Sequence, residues 1–215
     1  MNFAEVKHLS IGNKSLVRLT IDGKVSWKGL PIGYTRLDYI ESTGTQYIDT
    51  GFYPNQDSRI VCEFKYSAGN GIYGARNTTS SDGFTLRVIS SKWQPQYNDT
   101  MSSTSNTYDK NWHTADQNKN VFAIDGAVVK TFTYAEFTVP NPVIIGGIFG
   151  NKDGVPTLYG GECCYRSTRI YDNDALVRDL VPCRNAAGEI GMYDMLNATF
   201  YGNAGSGEFI AGEEQ

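Results

Sequence analysis

From Tyr34 onward, hydrophobic and polar residues alternate in short runs, the period of two that marks strands with one buried face. In SRIVCEFKY (58–66), Ile60, Cys62, Phe64 and Tyr66 share one face, with Val61, Glu63 and Lys65 on the other. GFTLRVIS repeats the pattern, with Phe84, Leu86 and Val88 inward and Thr85 and Arg87 outward. NVFAIDGAVVKTF (120–132) breaks at Asp125-Gly126, a pair suited to the type I′ turn of a hairpin. LVRDLVP and ATFYGNAGSGEFIAG add strands near the C-terminal end. Only TYAEF (133–137) suggests a helical turn, and no amphipathic run reaches the ~10–12 residues that a helix requires. Many short strands at even spacing predict an all-β sandwich or jelly roll.

The first residues follow the same logic on a smaller scale. EVKHLSI, SLVRLTI and KVSW predict three short strands, the last two joined at Asp22-Gly23. KGLPIG (28–33) then places two glycines and a proline at a boundary. Residues 1–30 are too few to bury a core alone and are expected to form a small β appendage, with the main domain over 34–212.

Composition narrows the function. The chain has 215 residues, 13% of them aromatic, with 23 glycines and 14 tyrosines, a mixture suited to strands joined by tight turns. A chain of this size buries roughly 70% of its unfolded surface, so a core needs neither disulfides nor metal. The net charge of −4 and the scattered basic residues argue against nucleic acid, which requires a clustered basic face. The longest apolar stretch, PVIIGGIFG, is too short for a membrane-spanning helix, so no membrane insertion is expected. MNFAEVKHLSIGNKS shows no signal peptide pattern, which points to cytoplasmic synthesis. Cys62, Cys163, Cys164 and Cys183 lack ligand spacing and are expected to be reduced core thiols.

Catalytic chemistry finds little support. A retaining glucanase needs carboxylates on one strand face, roughly 5–5.5 Å apart across the sugar bond. In LDYIESTGTQYIDTG, Asp38 and Glu41 are offset by three and face opposite ways; Glu41 and Asp49 approach only across the STGT turn. GNGIYG matches G-x-G-x-x-G, but no helix follows to receive a phosphate. The two histidines, His8 and His113, lie near no nucleophile elbow and make no zinc set. Sugar recognition needs an aromatic plate with amide or guanidinium groups beside it. YGARNTTSSDGFTLRVISSKWQPQYNDT supplies such a set in Arg76, Asn77, Arg87, Trp93, Gln96 and Tyr97, the candidate ligand-binding residues. The competing reading makes Trp93 and Tyr97 core aromatics.

NWHTADQNKNVFAIDGAVV resembles the central signature of concanavalin A-like, laminin-G-type lectin domains, through Trp112-His113 and Ile124-Asp125-Gly126. YGGECCYRSTRIYDNDAL is similar to the late strand of that family at Gly161, Arg169, Ile170 and Tyr171, with Ser167-Thr168 where an acidic pair is common. The opening YTRLDYIESTGTQYIDTG and the closing LVRDLVPCRNAAGEIGMYDMLNATFYGNAGSGEFIAG resemble a subgroup found in phage and prophage tail proteins and gut-bacterial surface proteins. The resemblance implies a concanavalin A-like β-sandwich with Trp112 in its core. It also implies a non-catalytic module that binds a glycan or cell-surface receptor, within a homo-oligomer or larger tail assembly, at a virion tail or extracellular surface. A ligand-free structural sandwich and a glucanase are the alternatives. No cofactor is expected; many family members hold Ca²⁺ at a loop rim, but Asp82, Asp99, Asp153 and Asp172 match no ligand motif.

Overall fold

The computed structural model describes residues 29–78 and 81–215 throughout and, before them, the strand backbone at 9–11, 14–16, 18–21 and 24–28. No helix occurs among the described residues, and TYAEF is irregular chain rather than the helical turn its composition suggests. Leu9–Ile11 pairs antiparallel with Lys14–Leu16, and Arg18–Ile21 with Lys24–Lys28. Among its described residues the segment thus carries four short strands in two ladders where the sequence suggests three. The Asp22-Gly23 turn and His8 lie outside the described residues.

The main strands are β1 (Ile40–Thr43), β2 (Ser58–Gly69), β3 (Gly71–Arg76), β4 (Gly83–Ile89), β5 (Lys92–Asn98) and β6 (Trp112–Asn118). They continue with β7 (Val121–Ile124), β8 (Ala127–Thr131), β9 (Gly147–Lys152), β10 (Val155–Asp172), β11 (Ala175–Arg184) and β12 (Ile190–Asp194). They build a two-layer sandwich. The front sheet runs β8-β7-β6-β2-β10, after which β1 and β11 share the far edge of β10 and β12 follows β11. The back sheet runs β5-β4-β3, then β9 and the first half of β10. The expected faces hold: Ile60, Cys62, Phe64 and Tyr66 on β2, and Phe84, Leu86 and Val88 on β4, are all buried in one core. Asp125 and Gly126 both adopt positive φ (51° and 79°), as a type I′ turn demands.

Two polar ties cross the core. Gln117, on β6 and fully buried, donates from Nε2 to the Gln96 carbonyl at 2.7 Å, and its Oε1 lies 3.4 Å from the Tyr73 hydroxyl. The Tyr165 hydroxyl, on β10, donates to the Ile72 carbonyl at 2.7 Å. Each bond joins front sheet to back sheet, so layer register is fixed by directional contacts as well as by packing. All four cysteines are free and buried. Cys163 packs in the core while Cys164 faces the other way, and burial pushes the Cys62 thiol up to about 12, which leaves it inert.

Two of the layer changes share one corner. There β2 ends and β3 begins within Gly69–Gly71, and β10 passes from one sheet to the other at Gly160 and Gly161. A Cβ on Gly160 would fall onto the Gly44 carbonyl oxygen, and one on Gly161 onto that of Gly71. At Gly71 a Cβ would come within 2.7 Å of the Ile148 amide nitrogen. The glycines of GNGIYG and YGGE are therefore spacers for crossing backbones. A methyl group at position 161 must push two main chains apart, so Gly161→Ala is expected to cost about 3 kcal/mol or more. Gly126→Ala, at positive φ but with open space around it, should cost about 1 kcal/mol. Urea denaturation of the two variants checks the difference, and equal losses would count against the corner.

Candidate functional site

The six residues nominated from sequence divide between two faces. Alternation along β5 turns Trp93 and Tyr97 into the core, each 1% exposed, while Lys92, Gln94 and Gln96 take the outer side. Trp93 meets Phe64 edge-on at 5.6 Å, and the Tyr97 hydroxyl donates to the Ala135 carbonyl at 3.1 Å. Enclosed rings offer no plate to a sugar, so these two are core aromatics; the mixed polarity of SKWQPQY reflects strand alternation. Arg76, Arg87 and Gln96 do come together, on the outer face of the back sheet. Asn77 stands half-buried at the end of that face, its amide bonded to the Asp82 carbonyl at 2.8 Å.

The remaining chemistry is mostly satisfied within the fold. Glu41 sits on β1 opposite Cys164 in the front sheet, whereas Asp49 pairs with Ile144 in the back sheet, so the STGT turn separates these acids. Trp112 lies on the outer face of the front sheet rather than in the core, because His113, Ala115 and Gln117 take the inward positions of β6. The Arg166 guanidinium covers its ring at 3.9 Å and is itself bonded to Asp38 at 3.1 Å and Glu63 at 3.4 Å. That stacking face is occupied and its charges are matched. Among the described residues, no group of three or more His, Cys, Asp or Glu side chains is placed to hold a metal ion.

A cavity of about 490 Å³ opens elsewhere, between the turn that joins β11 to β12 and the loop at 202–208. Asn185 builds the turn: its Oδ1 accepts from the Ala187 and Glu189 amides at 2.9 and 3.0 Å, and its Nδ2 donates to Glu189 Oε2 at 2.6 Å. Asn203 builds the facing loop. Its Oδ1 accepts from the Tyr47 and Gly205 amides at 3.1 and 2.9 Å, and its Nδ2 donates to the Gly207 carbonyl at 2.8 Å. The Thr45 hydroxyl adds a bond to the Ser206 carbonyl at 2.9 Å, which clamps the opening LDYIESTGTQYIDTG onto the closing GNAGSGE. Glu189, Glu208 and Arg184 supply charged groups to the lining, Ile190 and the buried Phe209 supply apolar surface, and glycines keep the mouth clear. Such a cavity suits a small polar ligand with one apolar flank. None of the six nominated residues lines it. The signal for it lay in two Asn-Gly-rich loops that residues 190–201 separate in sequence and the fold brings face to face.

No family model matches the chain, and no curated protein matches it. Among solved structures, one from Bacteroides ovatus ATCC 8483 described as a "putative carbohydrate binding protein" aligns with a TM-score of 0.48 and 12% identity, over 95% of this chain and 71% of that one.

His113 generates a pH prediction. Its ring packs against Trp93 and Phe64 and is held between Asp125 at 2.8 Å on Nδ1 and Asp109 at 3.0 Å on Nε2. Burial alone would lower its pKa, but hydrogen bonds to Asp125 and Asp109 outweigh burial and leave it above 6.5. The folded state therefore holds this proton more tightly than the unfolded chain does. The resulting stability is fully present below pH 6.5 and is lost as pH rises through the higher folded value. Urea midpoints should fall between about pH 6 and pH 9 in the wild type, and His113→Gln should flatten that slope. An unchanged slope in the variant would assign the pH dependence elsewhere.

Proposed function

We propose that the chain is a non-catalytic carbohydrate-binding module whose sugar site is the cavity between the 185–189 turn and the 202–208 loop. The observation that carries this reading is that both walls are already internally hydrogen-bonded through Asn185 and Asn203. Loops ordered in advance lose little freedom on binding, which matters for a ligand that offers only a few hydroxyl contacts. Carboxylates at Glu189 and Glu208 accept from hydroxyls, Arg184 donates, and Phe209 and Ile190 meet a C–H face. Two carboxylates in one cavity also describe a glycosidase. The proton-donating acid of such an enzyme gains its proton affinity from an apolar enclosure, whereas Glu189 and Glu208 stand exposed.

A single site of this kind binds with Kd near ~1 mM, about −4 kcal/mol, so attachment relies on several copies. This supports the further reading of a laminin-G-type lectin module in a phage tail or bacterial surface assembly, recognising a glycan or receptor, with residues 1–30 as its attachment piece. Short paired strands are suited to docking on a second chain.

Two experiments test these readings. A glycan array probed with multimerised protein should give binding that Ala187→Trp, which fills the cavity from an exposed wall position, weakens at least tenfold. Full binding by that variant would move the site elsewhere, and hydrolysis of any bound glycan would convert the module to an enzyme. Light scattering should show an oligomer for the full chain and a monomer after deletion of residues 1–30; an unchanged mass would remove the appendage from assembly.

A further inference from the structure

Three arginines of the front sheet and its far edge are matched by acids: Arg59 with Asp116 at 2.7 Å, Arg166 with Asp38 at 3.1 Å, and Arg184 with Glu214 at 3.6 Å. Arg87, on the outer face of the back sheet, is not. Its Nε donates to Gln94 Oε1 at 2.6 Å and its Nη2 to Met101 Sδ at 3.0 Å, and no carboxylate lies within ion-pair range among the described residues. A thioether is a weak acceptor, and a guanidinium carries five N–H donors, so most of the fork is left without a strong acceptor. Arg76 stands close by, 2% exposed, its guanidinium 4.2 Å above the Tyr159 ring and its side chain laid over Gly150. Burial, and after it the positive charge of Arg76, holds the Arg87 pKa below its usual value, with Tyr159 acting in the opposite sense.

Gln96 and Tyr159 add neutral polar groups to this face. Gln96 is fully buried on this face, packed over Gly83, and its Oε1 has no hydrogen-bond partner; the enclosed Tyr159 hydroxyl also has none. Gln94 reaches the exposed Ser103 hydroxyl at 3.0 Å, so amide and hydroxyl groups continue from Arg87 to the solvent edge. The positive charge of the buried Arg76 acts on Arg87, and an anion placed against Arg87 offsets it. The planar fork of Arg87 matches a carboxylate in shape and charge.

We propose that the outer face of the back sheet is a second binding site, which takes the carboxylate of an acidic saccharide at Arg87, with Arg76 in support and Gln94 and Ser103 on the sugar hydroxyls. This site lies in the other sheet from the cavity and does not depend on the cavity's role.

The test is calorimetric titration with a galacturonic acid trimer and with its methyl ester, which keeps the sugar and removes the charge. The acid should bind at least tenfold more tightly than the ester, and added salt should weaken it. Arg87→Gln should lose at least tenfold for the acid, with Arg87→Lys recovering only part because an ammonium lacks the fork. Thermal midpoints of both variants without ligand show whether the fold is kept. Equal binding of acid and ester, no binding of either, or full binding by a folded Arg87→Gln would overturn the proposal. Binding confined to sulfated oligosaccharides in a parallel titration would overturn the carboxylate assignment.

Discussion

Two β-sheets can share strands only where main chain passes over main chain without a side chain between them. In this protein that passage is concentrated at one corner, where Gly44, Gly71, Gly160 and Gly161 meet. β10 runs eighteen residues through it, pairing with β9 in the back sheet before the corner and with β2 in the front sheet after it. Everything downstream inherits this geometry. The front half of β10 presents Tyr165 to the core, where its hydroxyl reaches the back-sheet carbonyl of Ile72. The same strand sets β11 beside it, and β11 carries the turn that forms one wall of the cavity.

The alternation of apolar and polar residues made the faces of β2 and β4 legible before any coordinates, because a strand with one buried side has a period of two and few exceptions. The same rule, carried one strand further, would have put Trp93 and Tyr97 inside. Proline and glutamine in SKWQPQY obscured it, since polar residues on the outer face look like exposure of the whole segment. Trp112 failed in the opposite direction: a large aromatic was expected inside, yet His113 holds the inward position and Arg166 shelters the indole from outside. The cavity was not legible at all. Its walls are ordered by Asn185 and Asn203, which act on their own loops through local hydrogen bonds, and no periodic pattern records which two loops will face each other.

The two proposed sites differ in physical kind. The cavity has hydrogen-bonded walls, carboxylates and a small apolar flank, so as the proposed sugar site it selects by shape and by the placement of hydroxyls. The back-sheet face offers charge, with two arginines set among amides and an enclosed tyrosine. A ligand that met both would have to be extended and locally acidic, as polysaccharides containing uronic acids are. Both sites stand on residues already held by the hydrogen bonds of the fold.

The most direct measurement is an amide-resolved NMR titration of the intact protein with a panel of mono- and disaccharides. If the sandwich holds a sugar between its two asparagine-built loops, the amides of Gly188, Gly205 and Gly207 will shift together with saturation, while that of Gly126, in the β7–β8 turn, stays in place. If no saccharide moves those three amides, or if Gly126 moves as much as they do, the cavity is not a carbohydrate site and the account is wrong at its centre.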